Sequence, residues 1–106
     1  MKRIRKEDRT SLLVEQLLDV WERSVRATHL FLSDREIGEI KKFVPAALTA
    51  VPDLIVETNT EGVPIAFMGI GDGKLEMLFL APEERGRGLG RKLLEYGITE
   101  YGVKEL

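Results

Sequence analysis

Leu75-Glu76-Met77-Leu78-Phe79-Leu80-Ala81-Pro82-Glu83-Glu84-Arg85-Gly86-Arg87-Gly88-Leu89-Gly90-Arg91-Lys92-Leu93-Leu94 is the stretch on which the fold turns. Its first six residues, with Lys74, predict a strand rich in large apolar side chains, which Pro82 ends. Leu89, Leu93, Leu94, Gly97, Ile98 and Tyr101 then mark the apolar face of a helix. Between strand and helix lie two glycines and two arginines, and Gly90 follows in the first helical turn. A strand that feeds a glycine-rich turn into a helix N-terminus is a physical recipe for holding phosphate. The first helical turn has unpaired N–H groups and a partial positive charge, and glycine lets an anion approach the backbone. Arg85, Arg87, Arg91 and Lys92 add side-chain charge. Alone, the same pattern also serves as a plain helix-start turn.

Upstream, Gly71-Asp72-Gly73 supplies positive-φ positions for a tight turn, so residues 63–70 pair antiparallel with residues 74–80. Thr60-Glu61-Gly62 is the preceding turn, and the β-branched run 54–58 completes a three-strand meander. Before it the period changes. Val14, Leu17, Leu18, Trp21 and Val25 recur every three or four residues and mark the buried face of a helix ending near Ala27. Ser33-Asp34-Arg35-Glu36 is a capping box for a second helix with Ile37, Ile40 and Val44 inward, and Pro45 should kink or break it. Residues 2–5 suit a short first strand. Downstream, Tyr101-Gly102 ends the last helix, and residues 103–106 suit the start of a further strand.

The 106 residues are the size of one domain, taken here as 1–106, and so short a chain buries only about two-thirds of its unfolded surface. Lysines and arginines nearly balance the acids, for a net charge of -2, so no nucleic-acid partner is expected. The absence of cysteine excludes a disulfide scaffold and a thiolate nucleophile. No metal site is expected. The basic start Met1-Lys2-Arg3-Ile4-Arg5-Lys6 resembles a signal-peptide n-region, but Glu15, Gln16 and Asp19 interrupt the apolar stretch after it. With no run of about 18 apolar residues, no membrane span is expected. A cytoplasmic location fits.

Two common phosphate loops do not fit. No Lys-Ser or Lys-Thr pair follows the glycines, as a P-loop requires, and Gly86, Gly88 and Gly90 are spaced two apart, unlike a dinucleotide fingerprint. Arg85, Gly88 and Gly90 do satisfy [Arg/Gln]-x-x-Gly-x-[Gly/Ala]. In that motif, in the strand 75–82 before it and in the helix start 91–95 after it, the chain resembles the GNAT superfamily of N-acetyltransferases. The resemblance covers the whole chain, and residues 20–29 look most like small bacterial members.

The resemblance implies a mixed, mainly antiparallel α/β sheet flanked by helices, shortened after the helix that follows the acetyl-CoA-binding loop. It implies that acetyl-CoA is the co-substrate, with its pyrophosphate on Arg85, Gly86, Arg87, Gly88, Leu89, Gly90 and Arg91. Leu78, Phe79 and Leu80 would offer strand backbone to the pantetheine arm and thioester. The implied reaction is acetyl transfer to a primary amine of a small molecule or peptide.

Glu76 matches the position of a general-base glutamate in some members; the other reading is an outward polar residue on an alternating strand. His29 falls in the link that lines the family's acceptor pocket, where it is either a substrate contact or a packing residue near Phe31. Trp21 sits on the apolar stripe and reads as core. Tyr96 and Tyr101 lie on the glycine-loop helix, so the family's tyrosine acid is assigned to neither, and turnover is expected to be weak or absent. The alternative function is therefore a catalytically impaired acyl-CoA-binding or regulatory remnant. With only the start of a fifth strand present, residues 74–80 are expected to lack a neighbour on one side and to template a homo-oligomer, unless the tail folds back over them.

Overall fold

The computed structural model describes residues 1–28 and 30–106. In chain order the elements are β1 (Lys2–Ile4), α1 (Ser11–Thr28), α2 (Asp34–Lys41), α3 (Val44–Ala50), β2 (Asp53–Thr58), β3 (Pro64–Gly71), β4 (Lys74–Leu80) and α4 (Leu89–Tyr101). Short 3₁₀ turns, Lys6–Asp8 and Pro82–Glu84, precede α1 and the glycine loop. The four strands form one antiparallel sheet in the order β1-β2-β3-β4.

Alternation along the strands splits the core into two layers. Leu54, Val56 and Phe67 face α1–α3, where they meet Leu17, Val20, Trp21, Val25, Ile37, Val44 and Leu48. Ile55, Ala66, Met68 and Ile70 face the other way, against Leu93 of α4. Trp21 is core, at 5 % exposed. Val20, outside the predicted stripe, is 1 % exposed, because the stripe on α1 is wider than a strict three-four spacing.

The break near Pro45 is complete. α2 stops at Lys41 and a new helix begins at Val44, with Pro45 in its first turn, where a missing N–H is harmless. This restart corrects the predicted stripe: Ile37 and Val44 are buried, but Ile40 is 43 % exposed, because α3 leaves the line of α2. Ile98 is likewise 47 % exposed, since the buried stripe of α4 runs through Leu93 and Gly97. The capping box at Ser33 is present in both directions, with Glu36 N–H donating to Ser33 Oγ and Ser33 N–H to Glu36 Oε1. Glu22 on α1 accepts from Arg26 at 2.9 Å and from Lys41 at 2.6 Å, tying α2 to α1, and these partners, Lys41 first, hold its carboxyl below the usual range.

The β3–β4 turn has positive φ at Asp72 and Gly73, the type I′ pattern whose twist matches the strands. Past Gly102 the tail returns to the outer side of β4: Lys104 N–H donates to Gly73 O at 2.7 Å and Leu75 N–H to Glu105 O at 2.8 Å. Glu105 forms a single parallel bridge with Lys74. The expected further strand is thus present only as a start, which covers the first residues of β4.

Candidate functional site

β4 does not run evenly. Pairing with β3 goes from Ile70↔Leu75 to Gly69↔Met77, so Glu76 is an extra residue, a β-bulge. The bulge sets Met77 over Gly69, where an added Cβ would lie 2.7 Å from Met77 Cγ. It also shifts the hydrogen-bonding parity of the strand. Leu75 N–H points outward to Glu105 O, whereas Ala81 N–H points inward to Ile65 O at 2.8 Å. Strict alternation cannot join these two observations across six residues; one inserted residue can. It follows that Leu78 and Leu80 turn their backbone groups to the free edge, while Phe79 pairs with Phe67 in the ladder. Of the three strand residues expected to offer backbone, two face outward.

Ala81 is fully buried and anchors the end of β4. The 3₁₀ turn then closes through Glu84 N–H to Ala81 O at 2.9 Å and Arg85 N–H to Pro82 O at 3.2 Å. Gly86 and Gly88 have φ of 76° and 78°, conformations that L side chains avoid, and Gly88 is the N-cap of α4. The next amide to find an acceptor is Lys92 N–H, which donates to Gly88 O at 3.0 Å. Between them, the amides of residues 86–91 have no acceptor among the described residues, as the start of a helix dictates.

Around this run of donors the side chains are largely basic. Arg85, Arg87, Arg91 and Lys92 are exposed, and Arg91 lies 3.5 Å from Glu95. Arg85 Nη2 donates to Ser24 O at 3.4 Å, a long bond that leaves most of the guanidinium available. Glu83, the nearest acid that is bound, accepts from Arg23 at 2.9 and 3.1 Å. Its own backbone N–H, and then Arg23, hold the Glu83 carboxyl below the usual range, so it stays ionised and neutralised by its partner. Leu89 and Gly90 are half-buried, and a Cβ on Gly90 would lie 3.7 Å from Leu80. The loop is thereby placed directly beyond the free edge of β4.

Glu76 is exposed on the face of the sheet that carries α1–α3. With Ala47, Ala50, Val51, Pro52 and Met77 it lines a depression of about 240 Å³. At about 3.3 Å per residue it stands roughly 13 Å along β4 from Leu80. Next to it, Trp21, Val44, Ala47, Phe67, Met77 and Phe79 enclose a second depression, of about 140 Å³. The Phe67 and Phe79 rings, 5.6 Å apart, form part of its wall. His29 lies outside the described residues; Leu30 and Phe31 after it are exposed. Tyr96 and Tyr101 lie against each other on α4, centroids 5.9 Å apart, and burial raises the pKa of Tyr101. Among the described residues no cluster of His, Cys, Asp and Glu could hold a metal ion, and no helix is long and apolar enough to cross a membrane.

Three features of the site had no clear sequence signal: the bulge, the Arg23–Glu83 link and the 3₁₀ turn. The bulge arises from the pairing of two strands, and the link joins residues 60 apart in the chain. Only Pro82 hinted at the turn.

The family model described as the acetyltransferase (GNAT) family matches residues 14–105. The peptidyl-lysine N-acetyltransferase YjaB of Salmonella typhimurium is 36 % identical over 85 residues, which are 80 % of this chain and 58 % of that protein. The solution structure of apo-form YjaB from Escherichia coli superposes with a TM-score of 0.76 at 35 % identity, over 93 % of this chain and 63 % of that one. The PaiA N-acetyltransferase of Thermoplasma acidophilum, crystallised with coenzyme A, shares the fold, with a TM-score of 0.65 at 21 % identity, over 96 % and 72 % of the two chains. The chain therefore spans less than two-thirds of the length of its curated relative.

Proposed function

Because the chain belongs to the GNAT acetyltransferase family, we propose that it binds acetyl-CoA and transfers the acetyl group to a primary amine. The observation that carries this reading is the run of unbonded amides at residues 86–91 lying directly beyond the outward-facing backbone of Leu78 and Leu80. An extended thioester ligand needs those two features in that order: donors for a pyrophosphate, then a strand edge for an amide-containing arm. Arg85, Arg87 and Arg91 supply positive potential around the phosphates. Leu78 and Leu80 pair with the arm as an added strand would, and Phe79 contributes its side chain to the acceptor side rather than its backbone.

In the transfer, the amine nitrogen attacks the thioester carbonyl, a C–N bond forms as the C–S bond breaks, and the amine proton must leave while the thiolate gains one. In this reading Glu76 accepts that proton, directly or through water; its position at the bulge, beside the depression lined by Ala47 and Ala50, supports the role. A peptidyl lysine, the acceptor named for the Salmonella relative, is the first to test, with small amines beside it.

A second reading, acyl-CoA binding without turnover, rests on the placement of the tyrosines. Both pack on α4, so neither offers a proton to the thiolate at the β4 edge. Calorimetric titration with CoA and a transfer assay separate the two. Transfer at about 1 to 1,000 per second supports the enzyme, binding without transfer supports the second reading, and no binding removes both. If transfer occurs, Glu76→Gln should lower its rate at least 100-fold, within the usual span of general-base effects, while CoA affinity stays within about threefold. Equal losses in rate and affinity would remove Glu76 as the base.

The same edge supports self-association. Among the described residues the tail bonds to the outer side of β4 and its turn only at residues 73–75, so the outward backbone of Leu78 and Leu80 is a template for a second copy. Because CoA would use those groups, it should compete with the second copy. Light scattering across a concentration series should show dimers or larger species that saturating CoA shifts toward monomer; a constant monomer mass without CoA would end this reading.

A further inference from the structure

The glycine loop has almost no packing of its own. Residues 85–88 are exposed, the 3₁₀ turn before them buries nothing, and a Cβ at Gly86 or Gly88 would meet no atom within 4 Å. Its shape must therefore be imposed at its two ends. At the far end α4 is fixed by the fully buried Leu93. At the near end the side-chain ties both come from one turn of α1: Arg23 Nη1 donates to both oxygens of Glu83, and Ser24 O accepts from Arg85. Arg23 is itself held, with Nε donating to Asp19 Oδ2 at 2.9 Å. α1 is anchored by Leu17, Val20, Trp21, Ser24 and Val25, all buried.

We propose that Arg23 is a positioning residue for the cofactor loop, carrying the rigidity of α1 through Glu83 to the amides of residues 86–91. The inference rests on the CoA-binding reading above and adds what keeps that site in shape. The Arg23 and Glu83 side chains are 41 % and 55 % exposed, so the pair contributes little to global folding stability. A loop without packing lies at the low-stability end of a fold, however, and there one tether decides local order. A preorganised loop binds more tightly because less ordering remains to be done on association.

A purely electrostatic role makes the opposite prediction for one variant. If Arg23 served only to neutralise Glu83 near the phosphates, Glu83→Ala would leave CoA affinity unchanged or raise it. As a tether, Glu83 is needed as much as Arg23.

The test uses the full chain in three measurements: CoA affinity by calorimetry, amide order parameters by NMR relaxation, and the melting midpoint. Arg23→Ala and Glu83→Ala should each weaken CoA about tenfold, the double variant no further, and Arg23→Lys less than either, with midpoints within about 3 °C of the parent. Order parameters at residues 85–90 should fall from the rigid range near 0.85 to below about 0.6 in Arg23→Ala, and stay unchanged in α1 and α4. Glu83→Ala binding as tightly as the parent, or an unchanged loop in Arg23→Ala, overturns the proposal. Should the parent chain not bind CoA at all, the functional reading fails, and the relaxation measurement still decides whether Arg23 orders the loop.

Discussion

Gly88→Val is expected to abolish CoA binding, a loss of at least 100-fold in affinity, while the far-UV spectrum keeps its shape. Gly88 has a φ of 78° and is the N-cap of α4. A β-branched residue there is a backbone outlier costing about 1–3 kcal/mol. Nothing in the folded chain lies within 4 Å of an added Cβ, so the substitution causes no internal clash. Its larger effect falls on the open side, where the valine methyls occupy the space through which an anion reaches the amides of residues 86–91. Gly62 provides the control: it has a φ of 81°, also with open space around it, in the β2–β3 turn far along the chain from the loop. Gly62→Val should lower stability by a similar amount and leave CoA affinity unchanged. If both variants bind CoA as the parent does, the loop is not the phosphate site. If both lose binding equally, strain rather than anion access is responsible.

What the sequence made legible was whatever is encoded in short-range pattern. The limits of β4 at Lys74 and Leu80, the capping box at Ser33 and the tight turn at Asp72-Gly73 each follow from residues within a few positions of one another. The glycine loop belongs to the same class. The face of each helix was less legible where a helix changed direction: a break near Pro45 was expected, yet Ile37, Ile40 and Val44 read as one stripe, whereas α2 ends at Lys41 and Val44 opens a new helix, which leaves Ile40 exposed. Contacts between distant segments were not legible at all. The bulge at Glu76 depends on how β3 and β4 pair, and it alone decides that Leu78 and Leu80, rather than Phe79, face the edge. Arg23 read as a residue off the apolar stripe of its helix, which it is; its link to Glu83 needs the fold.

Arg9 is the largest such omission, and its replacement should be the most damaging to stability. Nothing in the local pattern around Glu7-Asp8-Arg9 marks it out, yet it is 8 % exposed, the least exposed charged residue of the described chain. Its guanidinium has no carboxylate partner among the described residues; it donates instead to five carbonyls: Ile4, Leu48, Thr49, Val51 and Pro52, the shortest at 2.6 Å to Val51 O. Leu48 and Thr49 belong to the last turn of α3, so Arg9 satisfies carbonyls that the helix end leaves without partners, at the negative end of its dipole. The same group pins the chain between β1 and α1 to the chain between α3 and β2. Burial, with a smaller contribution from Arg3, lowers its pKa, while Asp53 opposes the shift; a guanidinium still remains charged at neutral pH. Arg9→Met keeps much of the volume but leaves the Leu48 and Val51 carbonyls buried and unpaired, at about 1–3 kcal/mol each. A total of about 3 kcal/mol is a large fraction of the 5–15 kcal/mol typical of a domain and should lower the melting midpoint by roughly 10–20 °C. Arg9→Lys, with one ammonium in place of a planar fork, should recover only part of this. Thermal unfolding followed by circular dichroism checks the series. A midpoint for Arg9→Met within about 3 °C of the parent would mean that water replaces the guanidinium at those carbonyls and that the cluster does not hold the two segments together.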